Sequence, residues 1–181
     1  NGSTWSSVST LPYEFSGGAV VYNGEIHILG SADSYTSHYK YNGSTWSSVS
    51  SLPYLFDYGS AVVYNGEIHI LGGSNPSGTY TKYHYKYNGS TWSSVSTLPY
   101  EFSGGYAVVY NGEIHILGGI HDNEAHYKYN GSTWYRDVSA PRSISRNIGN
   151  MAALYNNEIH IFCYNAGTID HYKYDGSSWT K

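Results

Sequence analysis

The sequence predicts an all-β fold of four-stranded antiparallel blades arranged as a propeller, and three observations carry that expectation. The block Ala61-Val-Val-Tyr-Asn-Gly-Glu-Ile-His-Ile-Leu-Gly-Gly73 recurs as Ala19 to Gly30, as Ala107 to Gly119 and, with substitutions, as Ala153 to Cys163. Trp5, Trp46, Trp92, Trp134 and Trp179 recur at spacings of 41, 46, 42 and 45 residues, the period of a four-stranded blade. No long stretch shows helical periodicity, while short β-branched or aromatic runs alternate with turn residues.

Within one repeat, the first strand is Ala61 to Tyr64 and the second Glu67 to Leu71. The Asn65-Gly66 pair between them is the strongest short-range hairpin signal, because both central residues of a type I′ turn need positive φ. A third strand runs near Lys82 to Tyr87, and the fourth begins at Thr91-Trp92 after the turn Asn88-Gly89-Ser90. Repeats 1–41, 42–87, 88–129 and 130–174 form a single domain over 1–181, with 175–181 starting a further fourth strand. Five Trp-bearing fourth-strand segments stand against four sets of the other strands. In a closed four-bladed ring, Thr4 to Val8 is expected to complete the last blade beside Tyr172, which leaves Trp179 without a slot. Either one of the two segments frays, or the chain is a segment of a larger ring, completed by further repeats of a parent chain or by another molecule. A start at Asn1, without Met and on a repeat boundary, reads as a piece of something longer.

Composition narrows the partners. Charged residues make up 12%, the net charge is −4 and the isoelectric point is about 6.1, so no basic field exists to hold a phosphate backbone. Nucleic acid is excluded as the expected partner. The longest apolar runs are four or five residues, far short of the roughly 20 that a membrane-spanning helix needs, so no membrane insertion is expected. One cysteine, Cys163, rules out an internal disulfide framework and a thiolate metal cage. The 22 Tyr and 21 Gly are far above average usage, but the strict period argues for order.

The succession Tyr-Asn-Gly-Glu-Ile-His-Ile-Leu-Gly-Gly, then Tyr-Lys-Tyr-Asn-Gly-Ser-Thr-Trp, then Leu-Pro, resembles the kelch repeat, and the resemblance covers the whole chain. It implies a kelch-type β-propeller, either a four-bladed ring or part of a larger one. The near-identical Tyr- and Ser-rich copies are similar to those of bacterial and phage surface and tail-fibre proteins. That likeness implies an extracellular, cell-surface or virion location and a role in recognition. The chain departs from the family pattern at Gly30-Ser31 and Cys163-Tyr164, where a double glycine is replaced. The Arg that often follows Leu-Pro is missing from the first three copies, Arg142 or Arg146 being its counterparts in the fourth. Kelch-propeller oxidases carry a copper site with a Cys-linked Tyr, and Cys163, in a second strand, does not match it.

Unequal link lengths point to a functional face. From each Trp to the Tyr ending the next first strand there are 17, 18, 18 and 21 positions, and from that Tyr to the next Trp 24, 28, 24 and 24. The insertions therefore fall in the link leaving the fourth strand and in the link from second to third strand. Both emerge on the same face of an up-and-down blade, and insertions confined to one face of a repeat array mark its binding surface. Candidate ligand-binding residues there are Tyr13, Phe15, Tyr35, Tyr54, Phe56, Tyr58, Tyr80, Tyr100 and Phe102. The repeated Leu-Pro-Tyr-x-Phe has a second reading, in which it folds back to cap the core. The polar candidates are Asp57, Asn75, His121, Asp122, Glu124, Arg142 and Arg146. Flat aromatic surface beside planar polar groups suits sugar rings.

His27, His69, His115 and His160 repeat in the second strand and His38, His84, His126 and His171 in the third. Second strands face neighbouring blades, too far apart for tetrahedral ligation at roughly 2 Å, so no metal and no cofactor are assigned. If Glu67 pairs across to Lys86, then His69 faces His84, and the pairs set register. No nucleophile elbow, phosphate loop or His-Glu-x-x-His occurs, and no catalytic residue is named. The expectation is a non-catalytic recognition module for a glycan or protein. A head-to-tail structural subunit forming a ring or filament is the second possibility. A glycan-active enzyme using two of Glu14, Asp57, Glu101 and Glu124 is the third.

Overall fold

Each Asn-Gly pair sits where the chain must reverse with positive φ, and the sheets are built outward from those turns. Asn65 and Gly66 lie at φ 49° and 74°, Asn23 and Asn111 match them, and Asn156-Asn157 achieves the same turn with two asparagines. The computed structural model describes residues 2, 4–15, 17–30, 34–144, 151–165 and 167–181. Blade 1 comprises β1 (Gly18–Tyr22), β2 (Glu25–Leu29), β3 (His38–Tyr41) and β4 (Trp46–Ser48), and blade 2 comprises β5 (Ser60–Tyr64), β6 (Glu67–Leu71), β7 (His84–Tyr87) and β8 (Trp92–Ser94). Blade 3 comprises β9 (Tyr106–Tyr110), β10 (Glu113–Leu117), β11 (His126–Tyr129) and β12 (Trp134–Arg136). Blade 4 comprises β13 (Met151–Tyr155), β14 (Glu158–Asn165), β15 (Thr168–Tyr174) and β16 (Trp179–Thr180). Every blade is an antiparallel sheet with its strands in sequence order, and the described residues contain no helix.

The blades follow one another by packing first strands side by side, β1 on β5, β5 on β9 and β9 on β13, and no comparable packing joins β13 back to β1. The last blade is completed by Trp179–Thr180, which pairs with Lys173 and Tyr174. This corrects the expectation that the N-terminal segment fills that slot. Residues 4–10 belong to no strand, and Trp5 is fully exposed.

One cluster of buried side chains fills each of the three blade junctions. At every junction the tyrosine ending one blade's first strand meets the third-strand tyrosine of the next blade. The ring centroids are 6.4 Å apart for Tyr22 and Tyr87, 6.2 Å for Tyr64 and Tyr129, and 6.1 Å for Tyr110 and Tyr174. The third-strand histidine simultaneously meets the next blade's tryptophan edge-on, at 5.6 Å for His38 and Trp92, 5.6 Å for His84 and Trp134, and 5.7 Å for His126 and Trp179. Edge-to-face geometry of this kind adds about 0.5–1.5 kcal/mol per pair beyond the area buried.

The histidine pairs form as expected. Second-strand Nδ1 lies 2.7 to 2.8 Å from third-strand Nε2 in His27–His38, His69–His84, His115–His126 and His160–His171. The register differs from expectation by two residues, since His69 stands opposite Lys86 and Leu71 opposite His84. Both the imidazole contact and the 2.8 Å Lys86–Glu67 ion pair are therefore diagonal. Long side chains span that diagonal readily. Blade 3 also departs: Lys128 pairs with Asp137 at 3.0 Å, and Glu113 instead accepts the Tyr135 hydroxyl.

The double glycine has a steric cause. The next blade's entering link crosses directly over it, Gly73 N–H donating to the Phe102 carbonyl at 2.7 Å. A Cβ on Gly72, itself at φ +62°, would lie 1.9 Å from that carbonyl oxygen, whereas a Cβ on Gly66 meets nothing within 4 Å. Gly72→Ala is thus expected to destabilise by at least about 2 kcal/mol and Gly66→Ala by about 1 kcal/mol, read from chemical denaturation; equal losses would contradict the crossing. Burial also pulls His38 and His69 down to about 4 and His84 and His115 to about 3. Unfolded histidine titrates near 6.5 and binds more protons than the folded chain below that point. Stability is therefore fully present above about pH 6.5 and falls as the pH drops towards about 4. The melting temperature should decrease steadily over that window, and a flat profile would contradict neutral buried pairs.

Candidate functional site

The two variable links do converge on one face, where they build a cleft of about 340 Å³ above blades 1 to 3. Tyr35 comes from the second-to-third-strand link of blade 1, and Ser74, Asn75, Pro76, Gly78 and Tyr80 from that of blade 2. Ile120 comes from blade 3, Asp57 and Tyr58 from the link entering blade 2, and Ser103 and Gly104 from the link entering blade 3. Two isolated bridges, Asp57 with Ser74 and Ser74 with Tyr80, lash the blade 2 links together. Gly104 N–H donates to Tyr58 O at 2.8 Å and Ile120 N–H to Ser103 O at 3.0 Å, which ties in the third blade.

The long blade 2 link folds on Asn75. Its side-chain oxygen accepts from Thr79 N–H at 2.9 Å and from the Ser77 hydroxyl at 2.7 Å, so the group it can offer a ligand is the amide nitrogen. Asp57 Oδ1 accepts from Tyr58 N–H at 3.0 Å, and Asp57 is the one charged side chain among the described residues lining the cleft. Tyr80 packs edge-on against His121 at 4.9 Å, and His121 Nε2 lies 3.5 Å from Glu101. His121 therefore supports the cleft wall from outside.

Tyr58 takes φ +53°, a conformation that costs a bulky L-residue roughly 1–2 kcal/mol. At the equivalent place in the next link stands Gly104, at φ +66°. By sequence, Ser103-Gly104 matches Ser16-Gly17, whereas Asp57-Tyr58 stands there in the link entering blade 2 and Ser145-Arg146 in the link entering blade 4. A strained tyrosine beside a lone carboxylate is thus placed over the cleft where glycine would sit without strain.

The other sequence candidates lie elsewhere. Phe56 and Phe102 are fully buried, so they are core residues beneath the double glycines and not ligand contacts. Tyr54 and Tyr100 donate their hydroxyls to the Gly72 and Gly118 carbonyls at 2.8 and 2.6 Å, and burial raises both phenols far above their ordinary range. Tyr13 packs on Tyr39 at 5.1 Å, and Phe15 is exposed on the first link, away from the residues that line the cleft. Asp122 faces Arg136 at 3.6 Å, and Arg142 faces Asp170 at 3.8 Å. Glu124 is exposed at the surface of blade 3, and Arg146 lies outside the described residues. Sequence reasoning missed Ser74 and Ile120, although each is the residue directly after a double glycine. It also passed over Ser103-Gly104, which alignment with Asp57-Tyr58 would have shown.

No family model and no curated protein matches the chain. The fold is similar to a solved structure. That structure, titled "Structure of YjhT", superposes with a TM-score of 0.79 over 96% of the chain at 14% identity. At that identity the likeness bears on the fold alone, and it supports the repeated β-architecture. The chain spans 66% of the length of YjhT. Among the described residues, no group of three or more His, Cys, Asp or Glu could hold a metal ion.

Tyr58→Gly removes the left-handed strain and one cleft wall together. Its folding stability is expected to equal or exceed that of the wild type by up to about 1 kcal/mol. A clear drop in melting temperature would show that Tyr58 serves packing instead.

Proposed function

We propose that the chain is a kelch-type propeller unit that serves as a non-catalytic recognition module, and that its ligand is a glycan seated in the cleft. Tyr35, Tyr58 and Tyr80 offer aromatic surface to the apolar faces of sugar rings. Asp57, the Asn75 amide and the backbone around Ser103-Gly104 offer planar partners to hydroxyls. The cleft volume lies at the small end of the range for ligand pockets, which suits one or two sugar units. The observation that carries the reading is the Asp57-Tyr58 replacement, because the fold tolerates a strained residue in one link and keeps glycine at the equivalent place in the next. Backbone strain of this kind clusters at functional sites.

A single lining carboxylate fits recognition better than hydrolysis, which in most glycosidases needs two carboxylates flanking the bond. Such a module belongs on an extracellular, cell or virion surface, where it would present its cleft to glycans. An immobilised glycan array should retain the wild-type chain on one related group of sugars. Asp57→Ala should weaken that binding at least about tenfold by removing a charged hydrogen-bond partner, while its folding stability drops by no more than about 1 kcal/mol through loss of the Tyr58 N–H bond. The absence of any retained glycan, or equal binding by Asp57→Ala, would overturn the assignment; release of reducing sugar from a retained glycan would replace it with an enzyme.

A further inference from the structure

The two ends of the arc bear opposite halves of one interface. Each blade presents, towards the blade that follows it, its first-strand tyrosine and third-strand histidine. Tyr22, Tyr64 and Tyr110 are only 3 to 6% exposed in that role, but Tyr155, their counterpart in blade 4, is 64% exposed. His38, His84 and His126 are buried, whereas His171 is exposed. Met151, on the same side of β13 as Tyr155, is exposed as well.

Towards the preceding blade, the receiving half consists of second-strand isoleucines with the third-strand tyrosine and fourth-strand tryptophan. Ile68, Ile114 and Ile159 are fully buried there, but Ile26 in blade 1 is 42% exposed, and its cross-strand neighbour Val21 is exposed too. Tyr41 and Trp46 stand beside them with the same mutual packing as Tyr87 and Trp92, at 5.0 and 5.1 Å. Trp46 Nε1 donates to the Ser9 hydroxyl at 3.0 Å, where Trp92 Nε1 donates to the backbone carbonyl of the equivalent Ser50 at 3.3 Å. The entering link at blade 1 therefore already lies where a junction needs it.

We propose that blade 4 of one copy of this chain docks on blade 1 of a second copy, repeating the internal junction in trans. The partner is committed by complementarity: Tyr155 and His171 of blade 4 lack the neighbouring blade's third-strand tyrosine and fourth-strand tryptophan, and blade 1 carries that pair as Tyr41, only 9% exposed, and half-buried Trp46, flanked by exposed Val21 and Ile26. The contact is heterologous, head to tail, so it propagates from copy to copy unless the arc closes. Tyr155 of one copy would lie against Tyr41 of the next and His171 against Trp46. The segment around Trp5, the sequence counterpart of β16, belongs to no strand. This surface is separate from the cleft and does not rest on the glycan assignment.

Two variants test it, each altered only at exposed positions so that the fold is retained, as circular dichroism would check. Val21→Asp with Ile26→Asp disables the receiving end, and Met151→Asp with Tyr155→Asp disables the docking end. By sedimentation velocity, the wild type should gain mass across an approximately hundredfold concentration series. Each variant alone should remain monomeric, and an equimolar mixture should form a dimer and nothing larger. A wild-type mass independent of concentration, self-association of either variant alone, or a mixture that stays monomeric would overturn the proposal.

Discussion

The structure depends on one recurring contact, in which a first-strand tyrosine and third-strand histidine of one blade meet a third-strand tyrosine and fourth-strand tryptophan of the next. A four-stranded sheet of three- to five-residue strands has too little apolar surface to stand alone, and blades 1 to 3 here bury it only by facing a neighbour. The histidine pairs belong to this contact. In blades 1 to 3 the third-strand imidazole accepts or donates towards its own blade's second strand while its ring packs on the next blade's tryptophan. That dual role holds the imidazole in a dry, aromatic setting, which is why its protonation and the fold oppose one another.

The same constraint explains where variation is allowed. The strands repeat almost unchanged because they pack on neighbouring blades, the exposed Asn-Gly turns because both positions need positive φ, and the double glycines because a neighbouring link passes over them with no room for a side chain. Only the outer parts of the links escape. Asp57, Tyr58 and Asn75 occupy those freed positions, and their convergence into one cleft follows from the blades being in register.

The hairpins were legible because few residues other than Asn and Gly take positive φ at two successive positions. The face carrying the long links was legible from arithmetic on the Trp and Tyr positions. Other features were not. Nothing in a period states that strand three of one unit meets strand four of the next, so the His84–Trp134 contact is visible only in three dimensions. The strand register slipped by two because Lys86 and Glu67 pair diagonally, and charge complementarity alone does not distinguish a direct from a diagonal pair. Phe56 and Phe102 looked equally suited to ligand and to core, and their carbonyls over Gly30 and Gly72 place them in the core. The completion of blade 4 by Trp179 could not be read from counting strands, since five tryptophan segments fit four slots in two ways.

Blades that owe their order to their neighbours should be ordered most where both faces are covered. Amide hydrogen exchange followed by mass spectrometry on the dilute chain measures this directly. Slowest exchange is predicted in β6 and β10, packed on both sides, and faster exchange in β13 and β16 at the bare end of blade 4. Equal protection across all four blades would contradict the account, because each sheet would then be stable without the contact between them.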